Sequence, residues 1–102
     1  MSIYSYVNTN LDMNQNGNDG FQYYIVDCST SSINISLGNN PYDALYYRIQ
    51  RVDTNVLNTL TITATNSKLI NGGTSTTMNI NVYGDLIYIN GAWMLSKYNY
   101  SL

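Results

Sequence analysis

The first residues in this sequence that could do chemistry are the oxygen-bearing side chains of the segment Asp12–Asn18. The segment matches the calcium loop of an EF-hand at the first, third and fifth ligand positions and at the turn glycine, Gly17. The twelfth position, which should supply a bidentate Glu, is Tyr23, and neither flank has a helical pattern. Asp19 could add a second carboxylate. Because sixteen Asn in 102 residues make such loops common by chance, we interpret the segment as a polar loop, with weak calcium binding as the alternative.

The carboxylates and the thiol give little support for catalysis. Asp27 and Asp53 each follow a strand-like segment that ends in Val, where Asp more often caps a turn than acts as an acid. A pair of carboxylates could hydrolyse a glycoside, but nothing places two Asp residues at a defined separation. The chain has no His and no Glu, so the single thiol, Cys28, has no base to activate it. The glycine-containing segment 71–73 is followed by no Lys, unlike a phosphate loop. We therefore predict no enzymatic activity, no metal site and no cofactor.

Charged residues make up only 10% of the chain, with four Lys and Arg against six Asp and a formal net charge of −2. Four scattered cations cannot form the basic patch that nucleic-acid binding requires, and the absence of His excludes the usual zinc sites. A lone Cys cannot form an internal disulfide. The N-terminal residues lack the basic and apolar regions of a signal peptide, and no run approaches the ~20 apolar residues that span a bilayer. We expect no nucleic-acid partner, no membrane insertion and synthesis in a cytoplasm.

Polar and apolar residues alternate along most of the chain, whereas a helical period is nearly absent. β-branched residues and Tyr are abundant, which is typical of strands. Asn-Gly at 90–91 is the dipeptide of a type I′ hairpin, and further turn signals lie at 38–41, 71–73 and 84–85. Strands are predicted at 21–28, 31–37, 45–53, 59–65, 77–83, 86–89 and 92–98.

The pattern predicts an all-β fold, a small antiparallel β-sandwich of about seven or eight strands. Residues 1–20 are interpreted as an N-terminal strand and linker, and residues 21–102 as the sandwich domain.

The predicted outward strand faces carry Thr, Ser, Asn and Tyr instead of Lys and Glu. Soluble sheets usually protect their faces and edges with charge, and a chain of this length buries only roughly two-thirds of its unfolded surface. We therefore predict that other copies of the chain cover some of these faces. Tyr is also suited to recognition, because its rigid ring carries a polar tip. At least half of the rings near turns and chain ends are expected to pack in the core or between subunits, and the others are candidates for recognition. This candidate recognition set consists of Tyr4, Tyr6, Tyr42, Tyr46, Tyr83, Tyr98 and Tyr100.

Several short motifs resemble those of the C-terminal head domains of viral fibres and phage tail fibres. The segment 25–37 resembles the family's strand ending in Val-Asp, its Ser/Thr turn and its alternating Ile-x-Ile-x-Leu strand, followed by a turn with Pro. The segments 47–53 and 60–72 resemble the next strand and the Thr-Ile…Ile-x-Gly region. The segment 84–93 resembles the terminal meander with its Gly-x-Trp. The similarity spans residues 21 to 96 and departs from the pattern at Cys28, where Thr or Ser is usual, and in the polar residues before Pro41.

The resemblance implies a homotrimeric head at the tip of a virion fibre, which attaches to a host cell-surface receptor or glycan and catalyses no reaction. The Asn-, Ile- and Tyr-rich composition suggests an AT-rich genome such as that of a giant DNA virus or a virophage. A structural capsid or tail trimerisation module without a receptor, and a small carbohydrate-binding module, are the alternatives. The receptor-binding residues stay unknown from sequence; loops carry most binding residues, so contacts are expected at Asn10–Gly20 and Gly38–Asp43.

Overall fold

The chain consists of strands and turns throughout the part that a computed structural model describes, residues 4–13 and 22–100. The all-β prediction is therefore confirmed for these residues, which include no helix long and apolar enough to cross a membrane. The strands are β1 (Ser5–Val7), β2 (Leu11–Asp12), β3 (Tyr23–Val26), β4 (Ile33–Ser36), β5 (Tyr46–Arg51), β6 (Leu60–Thr63), β7 (Ser75–Met78), β8 (Val82–Ile89) and β9 (Ala92–Asn99).

The nine strands form two mixed sheets, and the first six strands alternate between them. The five-stranded sheet has the order β1-β3-β5-β8-β9, and the four-stranded sheet has the order β2-β4-β6-β7. From β1 to β6 the chain winds as a coil of three turns, each of which adds one strand to each sheet. Within the coil, neighbouring strands are therefore parallel. Strand β7 then pairs antiparallel with β6, and the β8-β9 hairpin completes the larger sheet.

The expected antiparallel arrangement is wrong for the four strand pairings of the coil. Parallel partners lie far apart in the sequence: Ser5 pairs with Tyr24, and Tyr24 pairs with Ile49. Side chains alternate in the same way in parallel and antiparallel strands, so alternation carries no information about direction. A parallel connection usually contains a helix. Here it passes through the other sheet instead, and no sequence signal marks it.

The sequence also predicts a tight turn at Gly84-Asp85, and this position is wrong. The turn lies at residues 79–81, where Asn81 has a φ of 62°, and β8 runs unbroken through Gly84. A Cβ on Gly84 would lie 2.6 Å from Cδ1 of Leu95 on the neighbouring strand. Glycine at this position thus allows close side-chain packing. The predicted hairpin turn is confirmed, with φ values of 53° at Asn90 and 80° at Gly91.

Both sheets contribute to one hydrophobic core. Its largest side chains are Trp93, Tyr24 and Tyr47; the two tyrosine rings meet edge to face at 5.7 Å, and Tyr47 stacks on Trp93 at 6.2 Å. Val7 and Met13 are also buried in this core. The described residues of the segment 1–20 therefore pack with the rest of the chain, while the domain boundary at residue 20 stays a prediction.

A buried ion pair connects successive turns of the coil. The side chains of Arg51 and Asp53 are 2% and 1% exposed, and Nε of Arg51 lies 3.0 Å from Oδ1 of Asp53. The guanidinium also donates to the carbonyl oxygen of Met78 at 2.9 Å and to two carbonyl oxygens of the turn that follows β5. The Asp53 carboxylate accepts the backbone N–H of Cys28, in the preceding turn of the coil, at 2.9 Å. Both charges are compensated by these contacts.

We expect Arg51→Met to lower the free energy of unfolding by about 3 to 5 kcal/mol, because it leaves the Asp53 carboxylate buried without its partner. The matched control is Arg48→Met, which removes a guanidinium whose side chain is 44% exposed and paired with Asp85. Its loss of stability should be much smaller, because exposed ion pairs contribute little to stability. Urea unfolding followed by tryptophan fluorescence measures both values, and equal losses would contradict the structural role of the buried pair.

The stability of the fold should also decrease in acid. Burial by itself raises the pKa of Asp53, but hydrogen bonds from Arg51 and from the N–H groups of Cys28 and Asn55 outweigh it, and the pKa is lowered. A carboxyl with a lowered folded pKa stabilises the fold above its unfolded value of about 3.9, and this contribution is lost as pH falls through the folded value. We expect the urea concentration at the unfolding midpoint to decrease when the pH is lowered below about 4. In Asp53→Asn this decrease should be smaller. An identical pH profile in the variant would argue against this assignment.

Candidate functional site

The outward face of the five-stranded sheet carries a group of partly exposed tyrosine rings. Strand alternation places Tyr47 and Ile49 of β5 in the core and leaves Tyr46, Arg48 and Gln50 on the outside. The strand register brings the outward residues of five strands into rows across the sheet. We call this surface the tyrosine face. It consists of Tyr6, Tyr23, Ile25, Tyr46, Arg48, Gln50, Tyr83, Asp85, Ile87, Met94, Ser96 and Tyr98.

A single ion pair lies in the middle of the tyrosine face. Oδ1 of Asp85 accepts hydrogen bonds from Nε of Arg48 at 2.9 Å and from the hydroxyl of Tyr46 at 2.7 Å. The hydrogen bond from Arg48 is the largest cause of the lowered pKa of Asp85. The guanidinium carbon of Arg48 lies 4.9 Å from the centroid of the Tyr83 ring, a cation–π contact. The pair therefore fixes two aromatic side chains and leaves this part of the face without net charge.

Three tyrosine rings form a stack at one side of the face. Tyr83 lies between Tyr98, at 5.2 Å and 26°, and Tyr100, at 6.4 Å and 28°. The hydroxyl of Tyr100 donates to the carbonyl oxygen of Arg51, which attaches the stack to the buried ion pair. Tyr98 is 45% exposed. The ring of Tyr100 is thus fixed by its hydrogen bond, while the ring of Tyr98 is exposed to solvent.

The opposite side of the face has a second aromatic group at β1 and β3. The rings of Tyr4 and Tyr23 meet edge to face at 6.3 Å, and the hydroxyl of Tyr23 donates to Oε1 of Gln50 at 2.5 Å. The hydroxyl of Tyr6, a residue that is 54% exposed, donates to Asp27. This hydrogen bond raises the pKa of Tyr6 and lowers that of Asp27. Exposed rings therefore flank the central ion pair on both sides, and hydrogen bonds orient the hydroxyls of Tyr6, Tyr23 and Tyr100.

Rings of this kind offer flat apolar area and polar tips, which is the chemistry of recognition. The arrangement suits a ligand that combines apolar patches with hydroxyl or amide groups, such as a saccharide or a protein surface. The described residues contain no group of three Cys, Asp, Glu or His side chains placed to hold a metal ion.

The acidic residues considered for chemistry occupy structural positions. Asp27 accepts the N–H of Ser29, and Asp53 accepts the N–H of Asn55, so both cap turns as the sequence indicated. Cys28 is fully buried, and burial raises the pKa of its thiol.

The polar segment Asp12–Asn18, for which calcium binding was the alternative, and the expected contact loops are only partly described. Asp12 ends β2 and Met13 is buried, whereas residues 14–20, which complete this segment and the loop Asn10–Gly20, lie outside the described residues. In the loop Gly38–Asp43, Tyr42 is 53% exposed and the Asp43 carboxylate accepts the N–H of Asn90. This second loop therefore leads into β5 and contacts the β8-β9 turn.

Sequence reasoning found part of the tyrosine face. Of the candidate recognition set, all but Tyr42 lie on the face or against it. Reasoning missed Tyr23, Arg48, Gln50 and Asp85, although the strand alternation already grouped Arg48 and Gln50 with Tyr46. Asp85 was missed because it was interpreted as a turn residue.

Comparisons with protein-family models, with curated proteins and with solved structures found no significant match to this chain.

We expect Asp85→Asn to make the Tyr46 phenol ionise at a lower pH. Burial raises the pKa of Tyr46, and the hydrogen bond and negative charge of Asp85 raise it further. Asp85→Asn removes the negative charge that raises the pKa of Tyr46. The positive charge of Arg48, which lowers this pKa, remains. ¹³C NMR titration of the tyrosine Cζ resonances measures the shift, with Asp43→Asn as a control that should leave Tyr46 unchanged. An unaltered pKa of Tyr46 in Asp85→Asn would show that Tyr46 and Asp85 do not interact in solution.

Proposed function

We propose that this chain is the homotrimeric head domain of a virion fibre and that it attaches the particle to a receptor or glycan on the host cell surface. The attachment involves no catalysis and takes place at the virion surface. The observation that carries the proposal is the tyrosine face. It supports binding because it combines exposed rings, fixed hydroxyls and a compensated ion pair on one open sheet.

The electrostatics of the tyrosine face favour an uncharged ligand. Its two charged residues, Arg48 and Asp85, neutralise each other at 2.9 Å, and the Asp27 carboxylate at its edge accepts the hydroxyl of Tyr6. Ligand contact then depends on ring area and on hydrogen bonds to groups such as the tyrosine hydroxyls and Gln50. Binding of this kind is weakly screened by salt. A neutral glycan, or an uncharged patch of a receptor protein, fits these requirements.

A structural trimerisation module is the second candidate, and one observation favours it. The end of the face near the β8-β9 turn is apolar, with Met94 at 53% and Ile89 at 36% exposure and Ile87 paired with Met94. Apolar sheet area of this kind often packs against another subunit. In that case the same sheet would hold subunits together and no receptor would be needed.

The self-association part of the proposal is tested by light scattering after size exclusion at micromolar concentration. We expect a mass of three times the chain mass of 11.5 kDa, because a chain with only 10% charged residues has little charge to oppose contact between copies. A mass of one chain would overturn the trimer.

The attachment part is tested with fluorescent protein on candidate host cells and on a glycan array. We expect the double variant Tyr6→Ser/Tyr98→Ser to lose at least about 10-fold in binding, because aromatic anchors dominate recognition energy. The comparison variant is Tyr42→Ser, which removes a tyrosine of similar exposure that lies off the face, in the expected contact loop Gly38–Asp43. Equal binding by both variants would contradict attachment through the tyrosine face. A trimer that binds neither cells nor glycans would favour the structural module.

A further inference from the structure

The turn between β5 and β6 exposes two apolar side chains that the tyrosine face does not explain. Residues 55–58 form a β-turn in which the N–H of Asn58 donates to the carbonyl of Asn55 at 3.3 Å. The two central residues of the turn, Val56 and Leu57, are 73% and 88% exposed. Among the described large apolar residues these are the highest exposures. Turn positions usually carry polar residues or glycine, so this composition requires a reason.

Hydrogen bonds from the buried ion pair hold this turn in place. The guanidinium of Arg51 donates to the carbonyl oxygens of Asn55 and Asn58 at 2.9 and 2.8 Å. Side-chain amides of the same two residues donate to the carbonyls of Ser29 and Cys28 at 3.1 and 2.7 Å. A turn fixed at so many points loses little conformational freedom when it binds something. Leu57 is therefore presented as a preorganised apolar projection.

A cavity of about 220 Å³ opens beside this turn. Its apolar wall includes Val56, Met78 and Ile80, and its polar wall includes Thr59 and Thr77. The one charged group that borders it, the guanidinium of Arg51, is already paired with Asp53. The cavity thus offers an uncharged recess of a size that accepts a branched aliphatic side chain.

We propose that the turn and the cavity are the two halves of a contact between copies of this chain, in which Leu57 of one copy inserts into the cavity of the next. Both halves lie at the same end of the molecule, and both are free of uncompensated charge, so like-charge repulsion does not oppose the contact. The projection and the recess adjoin at Val56, so a two-fold arrangement would exchange both Leu57 side chains within a dimer, whereas the trimer of the proposed function requires the head-to-tail arrangement, which closes into a ring. The contact rests on the self-association in the proposed function, and it does not depend on host attachment.

The first experiment measures association by sedimentation equilibrium over a range of protein concentrations. We expect Leu57→Asp to raise the dissociation constant at least about 30-fold, the effect of losing an interface hot spot. Thr77→Trp fills the cavity and should raise the dissociation constant by a similar factor, because it blocks the recess instead of removing the projection. The matched control is Met94→Asp, which places the same charge on the tyrosine face and should leave association unchanged. Circular dichroism establishes that each variant is folded.

The second experiment tests the contact directly by disulfide formation. Leu57→Cys protein is mixed with ¹⁵N-labelled Thr77→Cys protein and oxidised, and mixed dimers are identified by mass. We expect the mixed disulfide to dominate over either homodimer. The matched mixture of Leu57→Cys with Met94→Cys should give little mixed product. Cys28 is fully buried in the wild-type chain and does not compete.

The outcomes separate this inference from the proposed function. A wild-type chain that stays monomeric overturns both the trimer and the contact. Association that survives Leu57→Asp and Thr77→Trp but is lost in Met94→Asp overturns the contact alone and assigns the interface to the tyrosine face. Loss in Leu57→Asp and Thr77→Trp together with the mixed disulfide supports the contact, whatever the result of the cell-binding assay.

Discussion

The buried pair of Arg51 and Asp53 is the interaction on which the rest of the fold depends. The guanidinium joins strand β5, the turn that follows it and the end of β7 at Met78. The carboxylate joins a fourth segment, because it accepts the N–H of Cys28 in the preceding turn of the coil. Neither charge reaches solvent, so their hydrogen-bonding groups must be satisfied within the protein. Only an arrangement that brings all four segments together satisfies them, and the pair therefore favours one packing over its alternatives.

Such a constraint matters because a parallel coil has no hairpin turns to set its register. A shift of β3 by one residue would turn Tyr24 outward, which the apolar core opposes. A shift by two residues keeps each side chain on its face, so specific polar contacts must oppose it. The bond from Cys28 to Asp53 is one such contact. Asn34 of β4 supplies another, because its side-chain oxygen accepts the hydroxyl of Thr63 on the neighbouring strand β6 at 2.7 Å.

The sequence predicted the features that depend on neighbouring residues, such as the buried faces of strands. It did not predict strand order or packing, which depend on residues far apart in the chain. The alternation of 33, 35 and 37 identified a buried face that the structure confirms. The parallel order of the coil, and the packing of Leu95 against Gly84, depend on residues far along the chain. The role of Asp53 could have been found: Arg51 and Asp53 continue the apolar face of Tyr47 and Ile49, and two opposite charges on an inward face indicate a buried pair. The tyrosine face was found only in part, because its rows require the strand order.

The scarcity of charge affects two separate surfaces of the molecule, the tyrosine face and the Val56–Leu57 turn, and its consequence differs between them. The tyrosine face extends along the strands of one sheet, whereas the Val56–Leu57 turn lies where β5 finishes. Contact between copies through their ends would leave each tyrosine face directed outward. Several faces on one assembly would then bind together, so that individually weak ring contacts add up to firm attachment. Because Arg48 and Asp85 neutralise each other on that face, the gain would come from ring contact and not from electrostatic attraction, and it would persist at physiological salt.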